Sequence, residues 1–212
     1  MNDLARRVVT RSKGRVVGHF YSHKNAKHLQ WESQLERDCM RVLDVLPDVV
    51  GFSEQPFALP YDFNGVEKTY YPDLLVTKAA AETVIEVKPY AKAIIPEAVE
   101  RFGHIECALH ELGFSFEVWT EKEIRREPRW SNVILLMATC RRPRDMLSYD
   151  DLKAMFSGET SLTVGELSLR LRSREARGQA LSLVSAGFLG VDLEMPIKQD
   201  SQVWLLDQGA GL

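Results

Sequence analysis

Hydrophobic residues along the chain recur with two periods, and the change between them marks out the elements. From Trp31 to Leu46 apolar side chains fall at Leu35, Cys39, Val42, Leu43 and Leu46, which is one face of a helix. From Pro96 to Leu112 the series Val99, Phe102, Ile105, Leu109, Leu112 repeats at helical steps, and Gly113 is placed to end that helix. Elsewhere the pattern is extended. Val49-Val50-Gly51-Phe52 opens a segment running to Tyr61, and Asp62-Phe63-Asn64-Gly65 carries the Asn-Gly signal of a hairpin turn. Thr69–Val76, Thr83–Lys88 and Phe114–Trp119 read as strands, and the apolar run Asn132–Ala138 reads as a fifth. Strands interleaved with amphipathic helices predict an α/β fold, a mixed sheet with helices on its faces.

Beyond Arg141-Arg142-Pro143-Arg144 the character changes. Tyr149–Phe156, Thr163–Leu171 and Arg174–Ala186 read as short helices, and Gly187–Val191 and Gln202–Leu206 as two strands around a polar turn. Three helices followed by a wing is the order of a winged helix-turn-helix. The expected organisation is a basic arm over 1–30, the α/β domain over 31–144 and a small winged-helix domain over 145–212. Between Asp151 and Glu194 there are six acids against five bases, a balance that suits docking to protein better than stand-alone reading of the major groove. Trp204, in the apolar segment Val203-Trp204-Leu205-Leu206, either anchors a partner there or packs under the wing.

Candidate chemistry sits on two of the predicted strands. Alternation along Val84-Ile85-Glu86-Val87-Lys88 puts Glu86 and Lys88 on one face and Ile85 and Val87 on the other. Asp73 follows Pro72 in the preceding strand-like run. If the two strands are neighbours, two carboxylates and an ammonium converge. Carboxylate oxygens suit Mg²⁺ or Mn²⁺, and a lysine beside them orients or deprotonates water, which is equipment for metal-assisted phosphodiester hydrolysis. The bland alternative is an exposed Glu–Lys pair and a Pro-Asp turn. A third acid, Glu36, lies at the edge of the first helix's apolar stripe. Ser33 three residues before it gives capping-box spacing, so Glu36 either only caps its helix start or reaches into a cleft.

Taken in order, Ser22-x-Lys24, Glu32-Ser33-x-Leu35-Glu36, Glu54-Gln55-Pro56, Tyr71-Pro72-Asp73-Leu74-Leu75-Val76, Ile85-Glu86-Val87-Lys88-Pro89 and the segment Gly113–Ile124 resemble TnsA, the endonuclease subunit of heteromeric cut-and-paste DNA transposases. The resemblance runs from Gly18 to about Pro143. It implies a restriction-endonuclease-like PD-(D/E)xK domain using two Mg²⁺ ions, with Mn²⁺ able to substitute, followed by a winged helix. Glu36, Asp73, Glu86 and Lys88 fall on the family's catalytic positions. The metal set then expected is Glu36, Asp73, Glu86 and the backbone carbonyl of Val87. The implied partners are double-stranded DNA at transposon ends, a DDE-type transposase that cuts the other strand, and an ATP-dependent transposition regulator docked on the C-terminal domain.

Composition narrows this picture without overturning it. Of 212 residues 45% are hydrophobic, enough for a sizeable core, and no apolar run reaches membrane-spanning length. Met1–Arg7 lack the apolar stretch of a secretory signal, and Cys39, Cys107 and Cys140 are odd in number and far apart, read as reduced interior residues; a cytoplasmic location is expected. The net charge is −3, yet residues 1–29 carry seven bases against the single acid Asp3. Within that stretch Lys24 and Lys27, and beyond it Arg141 and Arg142, are candidate phosphate contacts. A locally basic arm on a mildly acidic protein suits an enzyme delivered to DNA by partners. Two other functions fit the same residues less fully: a free-standing restriction-like, homing or repair nuclease, and a non-enzymatic winged-helix regulator.

Overall fold

The computed structural model describes residues 17–139, 147–173 and 175–206. Contacts divide the chain into two compact units, the first made of residues up to Leu43 with Asp48–Arg125, the second of Asp44–Pro47 with Arg126 onward.

The first unit opens with a hairpin, β1 (Gly18–Ser22) and β2 (Lys27–Trp31), inside the segment read from sequence as a basic arm. Its turn is pinned to the strand that follows α1. The Asn25 carboxamide donates to Ser22 Oγ at 2.9 Å and accepts the Phe52 N–H at 3.1 Å. The Lys24 ammonium donates to the Val49 carbonyl. Helix α1 (Gln34–Val45) follows; Cys39, Val42 and Leu43 of the predicted stripe are buried, Leu35 and Leu46 are half-buried, and Met40 and Val45 join the buried set.

Strands β3 (Val49–Glu54), β6 (Leu74–Lys78), β7 (Ala81–Val87) and β8 (Ser115–Trp119) make one sheet in the order β3-β6-β7-β8. The β3–β6 and β6–β7 pairs are antiparallel and β7–β8 is parallel, so the sheet is mixed, as expected. A separate hairpin, β4 (Leu59–Phe63) and β5 (Val66–Tyr70), turns at Asn64 and Gly65, both with left-handed φ. The run Thr69–Val76 is therefore two strands, broken at Tyr71-Pro72-Asp73, because Pro72 has no N–H to give a ladder. Short α2 (Tyr90–Ala93) and long α3 (Pro96–Glu111) connect β7 to β8, and α4 (Glu121–Ile124) closes the unit. Phe102, Ile105 and Leu109 of α3 pack with Val84 of β7 and with Leu59, Tyr61 and Tyr70 of the hairpin.

Strand β7 differs from its expected half-buried form. Thr83 through Val87 are all buried, on both faces, because β7 is an internal strand with helix cover.

The second unit begins with α5 (Arg129–Thr139), where sequence reading placed a fifth strand over Asn132–Ala138. Its buried residues are Arg129, Asn132, Val133 and Leu136, a helical i, i+3, i+4, i+7 set. A short apolar run cannot distinguish strand from helix by periodicity, and here the flanking polar residues complete a helix. Then come α6 (Tyr149–Phe156), β9 (Leu162–Thr163), α7 (Val164–Leu171), α8 (Ala176–Ser185), β10 (Leu189–Val191) and β11 (Gln202–Leu205). The strands form an antiparallel sheet in the order β10-β11-β9. Thr163 caps α7 with a full capping box against Glu166. Asn132 clamps the loop before β11, donating to the Leu193 and Met195 carbonyls and accepting from the Ile197 N–H.

One side chain reads differently from expectation, and Trp204 takes one of the two roles left open for it. Cys107 is exposed instead of interior, whereas Cys39 is buried; Cys140, Arg141 and Arg142 lie outside the described residues. Trp204 is half-buried and lies on Gly190, its cross-strand partner, where an added Cβ would sit 2.4 Å from the indole. Gly190→Ala is expected to destabilise the protein by about 1–3 kcal/mol through overpacking, read as a lowered melting temperature. An unchanged melting temperature would mean that the indole is free to swing aside.

Candidate active site

Glu86 is the centre of the site. It is 5% exposed on β7, and a carboxylate so placed needs partners. Tyr70 at the end of β5 donates its hydroxyl to Glu86 Oε2 at 2.9 Å. Lys88 donates to Oε1 at 2.8 Å, and the Arg101 guanidinium of α3 stands 3.7 Å from the same oxygen. Glu86 and Lys88 thus share one side, as the alternation of the strand requires.

Asp73 is delivered by the break before β6. The β6–β7 ladder ends at Leu74↔Ile85, which leaves the next N–H of β7, that of Val87, without a strand partner there. Asp73 Oδ2 accepts it at 2.8 Å. Glu36 comes from the first turn of α1. Its N–H donates to Ser33 Oγ at 3.1 Å, and its carboxylate accepts the Glu32 N–H at 2.8 Å. Capping and cleft-lining are therefore both true of Glu36.

All four predicted residues, Glu36, Asp73, Glu86 and Lys88, line one cleft of about 530 Å³, and Val87 lines it too. Of the expected DNA contacts, Lys27 is exposed at the start of β2, while Lys24 is turned onto the Val49 carbonyl because a hairpin tip docked on β3 offers its ammonium that acceptor.

The electrostatics are unbalanced. Burial, reinforced by the negative charges of Glu86 and Glu36, pushes the Asp73 carboxyl well above the ordinary carboxylate range, against the opposing pull of the Val87 N–H and Lys88. Burial also raises Glu36, with Glu32 and Glu86 adding to it. Desolvation, then the charge of Glu86, pushes the Tyr70 phenol upward, which keeps it a hydrogen-bond donor. Hard oxygen donors held together against their own repulsion are a chemistry that fits a divalent cation. Among the described residues, no three His, Cys, Asp or Glu side chains converge on one point that could hold a metal ion, so the carboxylates ring the cleft without closing on a centre.

Sequence reading did not assign site roles to Tyr70, Gln55 or Glu32. Gln55 has a left-handed backbone, φ 41°, rare for a side chain of its size. Its N–H donates to the Asp73 carbonyl at 3.1 Å and its carboxamide to Glu32 at 3.1 Å, which joins the Asp73 loop to the start of α1. The only signal for it was the Glu-Gln-Pro triplet; for Tyr70 there was none beyond its place beside a strand.

A mixed sheet flanked by helices, with Glu-x-Lys on an internal strand and an aspartate at the start of its neighbour, fits a restriction-endonuclease-like fold. Residues 46–121 match the family described as TnsA-like endonuclease N terminal, which supports a TnsA-family assignment for this part of the chain. The matched segment contains Gln55, Asp73, Glu86 and Lys88; Glu36 lies before it and joins them through the fold. No curated protein matches the chain.

The raised Asp73 pKa carries a sign for stability. Between its unfolded and folded values the native state holds the extra proton, so stability falls as pH rises through that window. Asp73→Asn keeps an acceptor for Val87 and removes the charge. In metal-free buffer at neutral pH the variant is expected to melt above the wild type, with the gap closing toward acid. Mg²⁺ or Mn²⁺ should raise the wild-type melting temperature and leave Asp73→Asn unmoved. Equal cation responses would remove Asp73 from the ligand set.

Proposed function

We propose that this chain is a Mg²⁺-dependent DNA endonuclease that cuts the 5′ strands at transposon ends beside a DDE-type transposase partner. The observation that carries the reading is that Glu36, Asp73, Glu86 and Lys88 line one cleft, three of them inside the segment matched to TnsA-like endonucleases.

In this mechanism Asp73, Glu86, Glu36 and the Val87 carbonyl would hold the metal, one ion or two. The chemistry supplied by an ion held there would be Lewis-acid polarisation of a phosphate and a lowered pKa of bound water. The chain's own residues do the rest. Tyr70 fixes Glu86 by its hydrogen bond, so that the carboxylate presents a set orientation. Lys88, tethered to Glu86, positions the attacking water and offsets the charge that builds on the phosphate oxygens. Gln55 and Glu32 keep the Glu36 and Asp73 segments in register.

The second unit supports a winged helix in this reading. Its order, helix, short strand, two helices and two strands in a three-stranded antiparallel sheet, is what that fold requires. We assign it to protein docking, in keeping with its near-even charge, with an ATP-dependent regulator as the partner. With Trp204 seated on Gly190, docking rests on other residues of the unit.

Cleavage of an end-bearing plasmid in Mg²⁺, with the cognate transposase present, tests the proposal. Asp73→Ala and Lys88→Ala should each lower cutting by at least about 100-fold without loss of secondary structure. Near wild-type cutting by either variant ends the assignment. Efficient cutting by the chain alone would favour the free-standing nuclease.

A further inference from the structure

On α1, immediately after Glu36, stands a charge cluster that the cleft does not use. Asp38 is 2% exposed, and three arginines are bound to it. Arg37 donates Nε and Nη2 to Oδ1 at 3.2 and 3.0 Å. Arg41 reaches the same oxygen with Nη1 at 3.4 Å, and Arg125 donates Nε and Nη2 to Oδ2 at 3.0 and 2.7 Å.

Arg125 gives both of its bonds to Oδ2 and locks the end of α4 to α1, which leaves Oδ1 to Arg37 and Arg41. The carboxylate gathers more cations than it can neutralise: three positive charges on one negative leave a surplus of two. Arg41 feels the crowding, since burial and the charge of Arg37 both work against its protonation. The three side chains are nonetheless 28%, 29% and 42% exposed, so their remaining N–H donors reach solvent. They are also held in place, Arg37 additionally by the Trp31 ring, 5.7 Å from its guanidinium. Fixed guanidiniums with free donors are suited to bidentate capture of phosphate at little entropic cost.

We propose that Asp38 with Arg37, Arg41 and Arg125 forms a platform that grips the DNA backbone. The inference rests on the nuclease reading for its ligand. Arg37 and Arg41 lie one turn apart on the same face of α1, and Asp38 draws Arg125 from the end of α4 to join them. A strand presents a phosphate about every 3.4 Å, a spacing that lets one backbone meet more than one of these guanidiniums.

The test is binding of the full-length chain to a labelled duplex in EDTA, by fluorescence anisotropy across a salt series. The double variant Arg37→Gln, Arg41→Gln should bind more weakly on every sequence, with a salt slope shallower by about 2. Arg37→Lys with Arg41→Lys should keep the slope and lose affinity, since charge stays and the fork is lost; if the Gln pair unfolds the chain, this pair decides, and unchanged affinity overturns the platform. Binding is read in EDTA, where metal-dependent cleavage cannot occur, so loss of binding here and loss of cleavage by the cleft variants in Mg²⁺ are separate failures. A folded Gln pair with wild-type slope and affinity refutes the proposal. Wild-type duplex binding combined with lost binding of polyglutamate would assign the platform to an acidic protein surface and refute it equally.

Discussion

A carboxylate buried inside an internal strand is the constraint from which the first unit is arranged. Glu86 is buried on β7, and the fold supplies partners from three directions: the Tyr70 hydroxyl from the β4–β5 hairpin, the Lys88 ammonium just beyond β7 and the Arg101 guanidinium, 3.7 Å away, from α3. The same helix and hairpin also make the hydrophobic cluster over Val84. Core and site are therefore one packing problem. One face of β7 serves both, Val84 the core and Glu86 the cleft.

Asp73 follows from a second economy of the sheet. A ladder that stops at Leu74↔Ile85 strands the N–H of Val87, and the first side chain beyond the stop is the acceptor. Pro72 ensures that the ladder cannot run further on that side. The price is repulsion: with Glu36 and Glu86 close by, the Asp73 carboxyl resists ionisation. A site strained in this way costs stability, the usual cost of a functional cleft.

The legible and illegible parts of the sequence separate along physical lines. Helices α1 and α3 and strand β8 announced themselves because one face meets the core and the other meets water, which imprints a period. Glu86 and Lys88 were legible for the same reason, being two residues apart on a strand. Helix α5 was not, because its apolar run has no polar break inside Val133–Met137 and only Arg129 and Asn132 at its start complete the helical face. The β1–β2 hairpin was hidden by its charge: His19, His23, Lys24, Lys27 and His28 make the segment read as a solvated arm, while its order comes from Asn25 and Lys24 bonding to β3. Asp38 was invisible for a similar reason, since an acid next to two arginines on a helix reads as ordinary surface charge until its burial is known.

The two charged centres on α1 explain how a chain of net charge −3 can approach DNA at all. The cleft by itself repels phosphate, since Glu36, Asp73 and Glu86 outnumber the one lysine among them. Affinity must then come from outside the cleft, and it must be local, because a uniformly basic surface would hold any nucleic acid. Guanidiniums held on a buried anchor satisfy both demands, because Asp38 fixes the positions of the cations without cancelling them. On the proposed reading, binding draws on the arginines and cutting on the carboxylates, so the two would depend on different charges and the first could proceed without committing the second.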